Sequence, residues 1–237
     1  MNFDIGPIEA PTVRELFTQK LAGLIVNGDL KAGDKLPSER DLAAQAKISK
    51  SAVHLALVDL ERMGFVETRV RQGTYVTDFR RYGNVNTLEV LTRQSGFEYD
   101  TQNIIDILEM RDGIECKALE RLADNLTEDN IKILTDDLRE AQEYVQGQVD
   151  ISVLAQMFFR FHHDICFCSG NFVLPLLFNT FKSSTTYFWE APIRDFGVAT
   201  CMNYMQGMYD AIMQKDAAVS KKFLRDELET YKKELSK

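Results

Sequence analysis

The chain has 237 residues, a formal net charge of −8 and a hydrophobic fraction of 45%. This length can form one large domain or two ordinary ones, each with a real core. No apolar run approaches the roughly 20 residues that span a bilayer, and the N-terminal residues do not resemble a signal peptide, so we expect a soluble, cytoplasmic protein. The four cysteines lack the spacing of a zinc or redox pair, which favours buried, reduced thiols.

The negative charge lies in the C-terminal part of the chain. Residues 1–81 contain 12 Lys and Arg against 11 Asp and Glu, whereas residues 82–237 contain 16 against 25. A net acidic chain argues at first against a nucleic-acid binder, but a modest basic patch on one domain beside an acidic domain is compatible with DNA binding. The charge balance therefore restricts such a site to the N-terminal part.

The first predicted elements are an arm and a helix. Residues 1–11 show no periodicity and end in Pro11, which is typical of an arm. Thr12 and Glu15 have the spacing of a capping box. Apolar residues then recur every three to four positions up to Gly28, which predicts a helix that ends near this glycine.

Two further short helices are predicted, each opened by a serine. Ser38 precedes the first and Ser49 the second, and their hydroxyls can accept hydrogen bonds from backbone amides of the first turn. The second helix has an apolar face and an opposite polar face near its N-terminus. The apolar face consists of Val53, Leu57, Leu60 and Met63, and the polar face of Lys50, Ser51 and His54. A helix start of this kind suits phosphates and base edges in a major groove, so we interpret it as a recognition helix.

A β-hairpin is predicted to follow. Gly64 ends the recognition helix, and the β-rich runs 65–70 and 74–76 are joined through residues 71–73. Three helices and a hairpin form a winged helix-turn-helix. The hairpin tip carries Arg69, Arg71 and Gln72 beside a glycine, and it suits a minor groove or a phosphate. Taken alone, the tip is equally compatible with a solvated turn.

Three short runs stand out in this region: GDKLPSERDLA at 33–43, ISK at 48–50 and GTYV at 73–76. With them, residues 12–79 resemble the GntR family of bacterial transcription regulators. The resemblance implies that Arg40 and the tip of the wing face DNA. The family has arginine where this chain has Lys50 and His54, and because histidine cannot form the arginine fork, the operator should differ from the family's usual one. The predicted DNA-binding residues are Lys35, Ser38, Arg40, Ser49, Lys50, Ser51, His54, Gln72 and Gly73.

The rest of the chain is predicted to be helical. Residues 80–85 form a short polar run, so the predicted domains are residues 1–79 and 86–237 with a linker between them. Long helices are predicted to begin at Asp100, Thr127 and Asp150, and the remaining ones to span residues 172–190, 195–215 and 216–235. The predicted fold class is mainly α: a winged helix-turn-helix with a small β-hairpin wing, followed by an antiparallel bundle of six or seven helices.

Short motifs in this bundle carry a second, looser resemblance. They are Glu109-Met110-Arg111, Ile114-Glu115, Phe161-His162 and Ser169-Gly170-Asn171. With them, residues 86–237 are similar to the effector and dimerisation domain of the FadR branch of the GntR family, in which the bundle encloses a ligand cavity and forms the dimer. Many members hold a divalent metal with one aspartate and three histidines. The matching positions here are Phe158, His162, Met205 and Glu227, and with one intact ligand the chain is expected to bind no metal and no other cofactor.

Arg111 is the strongest effector candidate. It lies on the apolar side of a long predicted helix, and a guanidinium inside a bundle requires an anionic partner. The alternative is a structural ion pair with Glu109, Glu115 or a facing carboxylate. The predicted effector-binding residues are Arg111, His162, Met205 and Glu227. Four aromatic residues, Tyr187, Trp189, Tyr204 and Tyr209, are candidates for a cavity lining or for plain core.

These features predict a DNA-binding transcription regulator and not an enzyme. We expect a homodimeric repressor that reads a palindromic operator and responds to a small organic-acid effector. No nucleophile–base spacing, phosphate-binding glycine loop or complete metal set supports catalysis. Two alternatives stay open: a regulator that responds to acyl-coenzyme A, although acidic residues near Glu227 would repel coenzyme phosphates, and a metabolic enzyme or binding protein with a DNA tether.

Overall fold

The chain divides by its internal contacts into two units. The computed structural model describes residues 11–93, 101–180, 182 and 185–235. The two units are Met1–Phe97 and Glu98–Lys237. Most of the predicted arm, residues 1–11, lies outside the described residues.

The first unit begins with three capped helices. They are α1 (Val13–Val26), α2 (Glu39–Ala46) and α3 (Lys50–Arg62). Thr12 and Glu15 form a complete capping box on α1, and the predicted caps are confirmed because Ser38 and Ser49 accept hydrogen bonds from the first turns of α2 and α3. At α2 the capping box is incomplete, because Asp41 accepts a hydrogen bond from the Ser38 hydroxyl at 2.6 Å.

The core of this unit is formed by the predicted face of α3 and by part of the apolar pattern of α1, whose first members Val13 and Leu16 are 53% and 51% exposed. The predicted apolar face of α3 is buried, and it packs with residues of α1, α2 and the hairpin. Buried members of the core include Leu21, Ile25, Leu42, Val53, Leu57, Leu60, Met63, Phe65 and Val76. Arg14 on α1 makes a bidentate ion pair with Asp59 on α3, with both N···O distances at 2.6 Å. Shared apolar surface and this pair hold α1 against the recognition helix.

The hairpin is confirmed, with a first strand shorter than the predicted 65–70 and a second strand that begins one residue before the predicted 74–76. Strand β1 (Val66–Arg69) pairs antiparallel with β2 (Gly73–Val76), so that Val66 faces Val76 and Arg69 faces Gly73. Arg71 and Gly73 have positive φ angles of 62° and 103°. The left-handed turn therefore ends the ladder at Arg69.

The segment predicted to be a linker is ordered and partly helical. Helices α4 (Phe79–Tyr82) and α5 (Val85–Arg93) follow the hairpin. The Asn84 side chain donates to the Arg62 carbonyl at 2.7 Å, and the Thr87 hydroxyl donates to the Met63 carbonyl at 2.6 Å. These bonds satisfy carbonyls at the end of α3, so α5 belongs to the first unit and the boundary falls later than the predicted one at residue 86.

The second unit is an all-helical bundle, as predicted. Its helices are α6 (Thr101–Asp124), α7 (Glu128–Tyr144), α8 (Ile151–Cys168), α9 (Leu174–Asn179), α10 (Thr185–Phe196), α11 (Val198–Met213) and α12 (Ala217–Leu235). Thr127 and Asp150 cap α7 and α8 as predicted. Asp100, the predicted start of α6, lies outside the described residues.

Two predicted helix boundaries in this unit are wrong. The helix predicted over residues 172–190 is divided into α9 and α10, with Pro175 in the first turn of α9, where a missing amide costs no hydrogen bond. The helix predicted from residue 195 begins only at Val198, because Gly197 adopts a φ of 83° that ends α10.

Side chains from all the long helices fill the core of the bundle. The largest fully buried ones include Leu108, Leu119, Leu134, Leu154, Phe161, Ile165, Phe178, Met205 and Met208. The four cysteines are buried and free, as predicted, and burial raises the pKa of the Cys201 thiol to about 12. No helix that the structure describes is both long enough and apolar enough to span a membrane.

Candidate functional site

The predicted DNA-binding residues lie on the surface of the first unit. All nine are exposed: Lys35, Ser38, Arg40, Ser49, Lys50, Ser51, His54, Gln72 and Gly73. The two serine caps place the N-termini of α2 and α3 at that surface, where backbone amides and short hydroxyls favour an anion. Ser49 also exchanges a hydrogen bond with Ser51 at 3.1 Å, which fixes the first turn of α3.

Glu39 is a partner of the recognition helix that the sequence did not indicate. Its carboxylate contacts His54 Nδ1 at 2.8 Å and Lys50 Nζ at 3.8 Å. Glu39 therefore lies between Lys50 and His54, two of the candidates for DNA contact, and competes with DNA for both side chains. The pairing links residues 15 positions apart, which no periodicity along one helix can show.

The wing gathers a second group of cations around one aromatic ring. Arg69 lies over Tyr75 with 4.6 Å between its Cζ atom and the ring centroid, and Lys35 Nζ lies 5.9 Å from the same centroid. The backbone of Lys35 forms an isolated antiparallel β-bridge with Tyr75, so Lys35 is part of the wing and not of the helix pair. The tip itself exposes Val70 almost completely.

The second unit contains a buried cavity between α6, α8, α10, α11 and α12. It has a volume of about 40 Å³. The lining residues are Arg111, Phe158, Trp189, Pro192, Ile193, Phe196, Cys201, Tyr204, Glu227, Leu228, Thr230 and Tyr231. Two of the four predicted effector-binding residues, Arg111 and Glu227, line this cavity. His162 and Met205 are buried but are not among the lining residues.

Arg111 is buried and only partly satisfied. Its Nε atom donates to Glu115 Oε1 at 2.7 Å, and its Cζ atom lies 4.2 Å from the ring centroid of Trp189. Its Nη2 atom has no hydrogen-bond partner among the described residues. The ion pair that formed the structural alternative is therefore present, and it still leaves one guanidinium nitrogen without a partner beside the cavity.

Glu115 is the acidic centre of this group. It accepts from Arg111 through one oxygen, and its other oxygen lies 2.5 Å from His162 Nδ1. Burial alone would raise the pKa of Glu115, but Arg111 and His162 outweigh burial and lower the pKa to about 2. The carboxylate is thus ionised and compensates the charge of Arg111. His162 also packs on Trp189, with 4.5 Å between the ring centroids.

Glu227 is the second carboxylate of the cavity. Burial raises its pKa, and the nearby charges of His162 and Arg111 act in the opposite direction. Among the residues that the structure describes, no side chain forms a hydrogen bond or an ion pair with Glu227. Arg111 and Glu227 therefore bring a guanidinium and a carboxyl group to one cavity without being paired to each other.

The metal positions of related regulators do not fit a metal in this chain. Phe158 and Met205 have no nitrogen or oxygen ligand, which leaves His162 and Glu227 as the remaining two of the four positions. Within the described part of the chain, no three His, Cys, Asp or Glu side chains are grouped as metal ligands.

The aromatic candidates divide between cavity and core. Trp189 and Tyr204 line the cavity, whereas Tyr209 exchanges a hydrogen bond with Thr135 at 2.7 Å and is not a lining residue. The Tyr187 side chain lies outside the described residues. Phe196 and Tyr231 complete the aromatic wall of the cavity. The sequence did not indicate them, because their helices meet only in the folded bundle.

A separate charged cluster joins α7 and α8. Arg160 donates to Asp137 at 2.7 Å and to Glu140 at 2.6 Å. Burial and the neighbouring carboxylate of Asp164 raise the pKa of Asp137 to about 7, and Arg160 offsets only part of this rise. None of these residues lines the cavity that contains Arg111.

Comparison with known families decides what these two units are. Residues 11–76 match the model of the gntR family of bacterial regulatory proteins, and residues 106–230 match the FCD domain. The chain belongs to the GntR family. The first unit is its DNA-binding domain and the FCD bundle its effector-binding domain, so this GntR protein is a DNA-binding, metabolite-responsive transcription regulator.

Relatives of this GntR protein are transcription regulators, not enzymes. It is 30% identical over 160 residues to the regulator LutR of Bacillus subtilis, which covers 68% of this chain and 69% of LutR. It is 26% identical to the Glc operon transcriptional activator of Escherichia coli, over 96% of this chain and 90% of the relative. The solved structure of Lar, which controls the expression of the Listeria monocytogenes agr system, shares the fold with a TM-score of 0.64 at 14% identity, covering 97% and 99% of the two chains.

Proposed function

We propose that this GntR protein is a cytoplasmic homodimeric repressor of the FadR branch that binds a palindromic operator and releases it when a small carboxylate-bearing metabolite enters the FCD cavity. The observation that carries the proposal is that Arg111 lines the cavity and that its Nη2 atom has no hydrogen-bond partner among the described residues. A buried donor without a partner costs about 1–3 kcal/mol, which a ligand oxygen would recover. A guanidinium is also suited to bind a carboxylate.

The DNA-binding surface would be the nine exposed candidates on α2, α3 and the wing. Lys50 and Arg40 would contact phosphate or guanine, His54 a base edge or phosphate, and Gln72 with Gly73 the minor groove. Two copies of α3 on a symmetric dimer would read two half-sites. The Lys50 and His54 positions support an operator that differs from the family's usual one.

Dimer formation is supported by an exposed apolar surface on the bundle. Phe167, Phe172 and Leu176 are 57%, 81% and 62% exposed, and they lie close in sequence around the turn between α8 and α9. Large apolar side chains grouped at a surface are typical of an interaction site. A second copy of the chain would cover them.

The cavity size favours a small effector over acyl-coenzyme A. A volume of about 40 Å³ is only a few times the roughly 10–15 Å³ that one water molecule needs on the same measure. Glu227 on the cavity wall would also repel coenzyme phosphates.

Operator binding tests the DNA-binding part of the proposal. The full-length protein should shift DNA from its own promoter region at low salt without ligand. Lys50→Ala should weaken binding and reduce the salt slope by about one, whereas Lys20→Ala, at an exposed position on α1 outside the nine candidates, should have little effect. The apo-repressor reading fails if no complex forms in the absence of effector.

A screen of short carboxylic acids, hydroxy acids and amino acids tests the effector part. An effector should raise the melting temperature of the protein and release the operator. Arg111→Lys keeps the charge beside Glu115 but lacks the second donor arm, so it should bind the same compound at least about tenfold more weakly while remaining folded. An effector that binds Arg111→Lys as tightly as wild type would exclude the proposed site.

A further inference from the structure

The cavity is lined by a guanidinium and a carboxyl group that are not paired to each other. Arg111 lines the cavity and its Nη2 atom has no hydrogen-bond partner among the described residues, and Glu227 lines the same cavity with its carboxyl group. We infer that the cavity recognises a small zwitterion, a molecule with both a carboxylate and an ammonium group, such as a short-chain amino acid. This inference rests on the proposed function and assigns the chemical class of its effector.

The charge balance of the cavity favours a zwitterion over a simple anion. Glu115 already compensates the charge of Arg111, because the two form a buried ion pair at 2.7 Å. A simple carboxylate would add a negative charge beside the carboxyl group of Glu227, in surroundings where unpaired buried charges are costly. A zwitterion adds no net charge and offers its ammonium group to Glu227.

The wall of the cavity suits the cationic end of such a ligand. Five aromatic side chains line it: Phe158, Trp189, Phe196, Tyr204 and Tyr231. Aromatic ring faces attract ammonium groups, and this attraction grows when water is excluded. Because Trp189 already packs on Arg111, the other four rings and Glu227 are the groups available to the ammonium end, and Arg111 is the group available to the carboxylate.

The small volume restricts the size of the zwitterion. About 40 Å³ accommodates a molecule of a few heavy atoms and excludes large side chains. We therefore expect amino acids with the smallest side chains, or short ω-amino acids, to be preferred over aromatic or long ones.

Three matched probes test the inference by calorimetry on the full chain: L-alanine has both charges, propanoate has only the carboxylate, and ethylamine has only the ammonium group. L-alanine should bind at least about tenfold more tightly than either of the others, because each of those lacks one of the two charged contacts. Glu227→Gln should reduce this preference and improve propanoate binding. The control Glu229→Gln, on the same helix but outside the cavity, should leave the order unchanged.

The outcomes separate this inference from the proposed function. Propanoate binding as tightly as L-alanine to the wild-type protein would overturn the zwitterion inference, while the Arg111-dependent effector site would stand. Binding of none of the three probes, nor of glycine and β-alanine, would also overturn the inference. A preference for L-alanine that persists unchanged in Glu227→Gln, with the fold verified by circular dichroism, would overturn the role assigned to Glu227.

Discussion

The buried group around Glu115 allows a quantitative prediction. Glu115→Gln keeps the size of the side chain and removes the negative charge that pairs with Arg111 at 2.7 Å and faces His162 at 2.5 Å. The pKa of Glu115 is lowered from 4.5 to about 2, which corresponds to about 3 kcal/mol in favour of the ionised form. Breaking a buried pair by removing one partner costs about 3–5 kcal/mol, so the two arguments agree.

The single tryptophan of the chain reports this change. Trp189 packs on both Arg111 and His162, so its fluorescence follows unfolding of the bundle. With a slope of about 2 kcal/mol per molar urea, a loss of 3 kcal/mol lowers the urea midpoint by about 1.5 M. The control Glu120→Gln removes a half-exposed pair with Lys117 on the same helix and should cost less than about 1 kcal/mol.

The direction of the Glu115 pKa shift determines how the stability difference between wild type and Glu115→Gln depends on pH. Because the pKa of Glu115 is lower in the folded state, its stabilisation is present above the unfolded pKa near 4.5 and is lost as the pH falls towards 2. The difference between wild type and Glu115→Gln should therefore shrink upon acidification. A midpoint shift no larger than that of Glu120→Gln, or one independent of pH, would refute this reasoning.

Three further predictions follow from other features. Glu39→Gln should tighten binding to scrambled DNA several-fold, by about 1 kcal/mol, because His54 and Lys50 lose a competing carboxylate. The same dissociation constant for both proteins in fluorescence anisotropy titrations would exclude this competition. Because the pKa of Asp137 is raised to about 7, the free energy of unfolding should fall as the pH rises from about 4 to 7, by up to about 1.4 kcal/mol per pH unit. The urea midpoint of Asp137→Asn should therefore change less over this range than that of the wild type, and an equal change in both proteins would contradict the raised pKa. Phe172→Ser combined with Leu176→Ser should shift the mass measured by light scattering from dimer towards monomer, and an unchanged mass would remove this surface from the interface.

Local signals account for what could be predicted from the sequence. The caps at Thr12, Ser38, Ser49, Thr127 and Asp150 depend on hydrogen bonds within three residues, and periodicity alone identified the buried face of α3. Such features lie wholly within one element, so they can be recognised before the fold is known.

Contacts between different helices could not be predicted from local sequence signals. The pairing of Glu39 with His54 joins two helices, and the wall formed by Trp189 and Tyr231 depends on how α10 and α12 pack. Arg111 was detectable because a cation on an apolar face is locally anomalous. The division between α9 and α10 was missed although residues 179–186 contain one apolar residue, Phe181, and this polar run is the local signal that could have indicated it.

The contacts of Asn84 and Thr87 with the end of α3 have a mechanical consequence. They attach the start of α5 to the last carbonyls of the recognition helix through two short, direct hydrogen bonds. The hairpin and α4 lie between α3 and α5 along the chain, so these bonds hold the start of α5 against the end of α3 independently of the chain connection. Asn84→Gly would remove the bond to the Arg62 carbonyl and leave the Thr87 hydroxyl as the remaining one of the two.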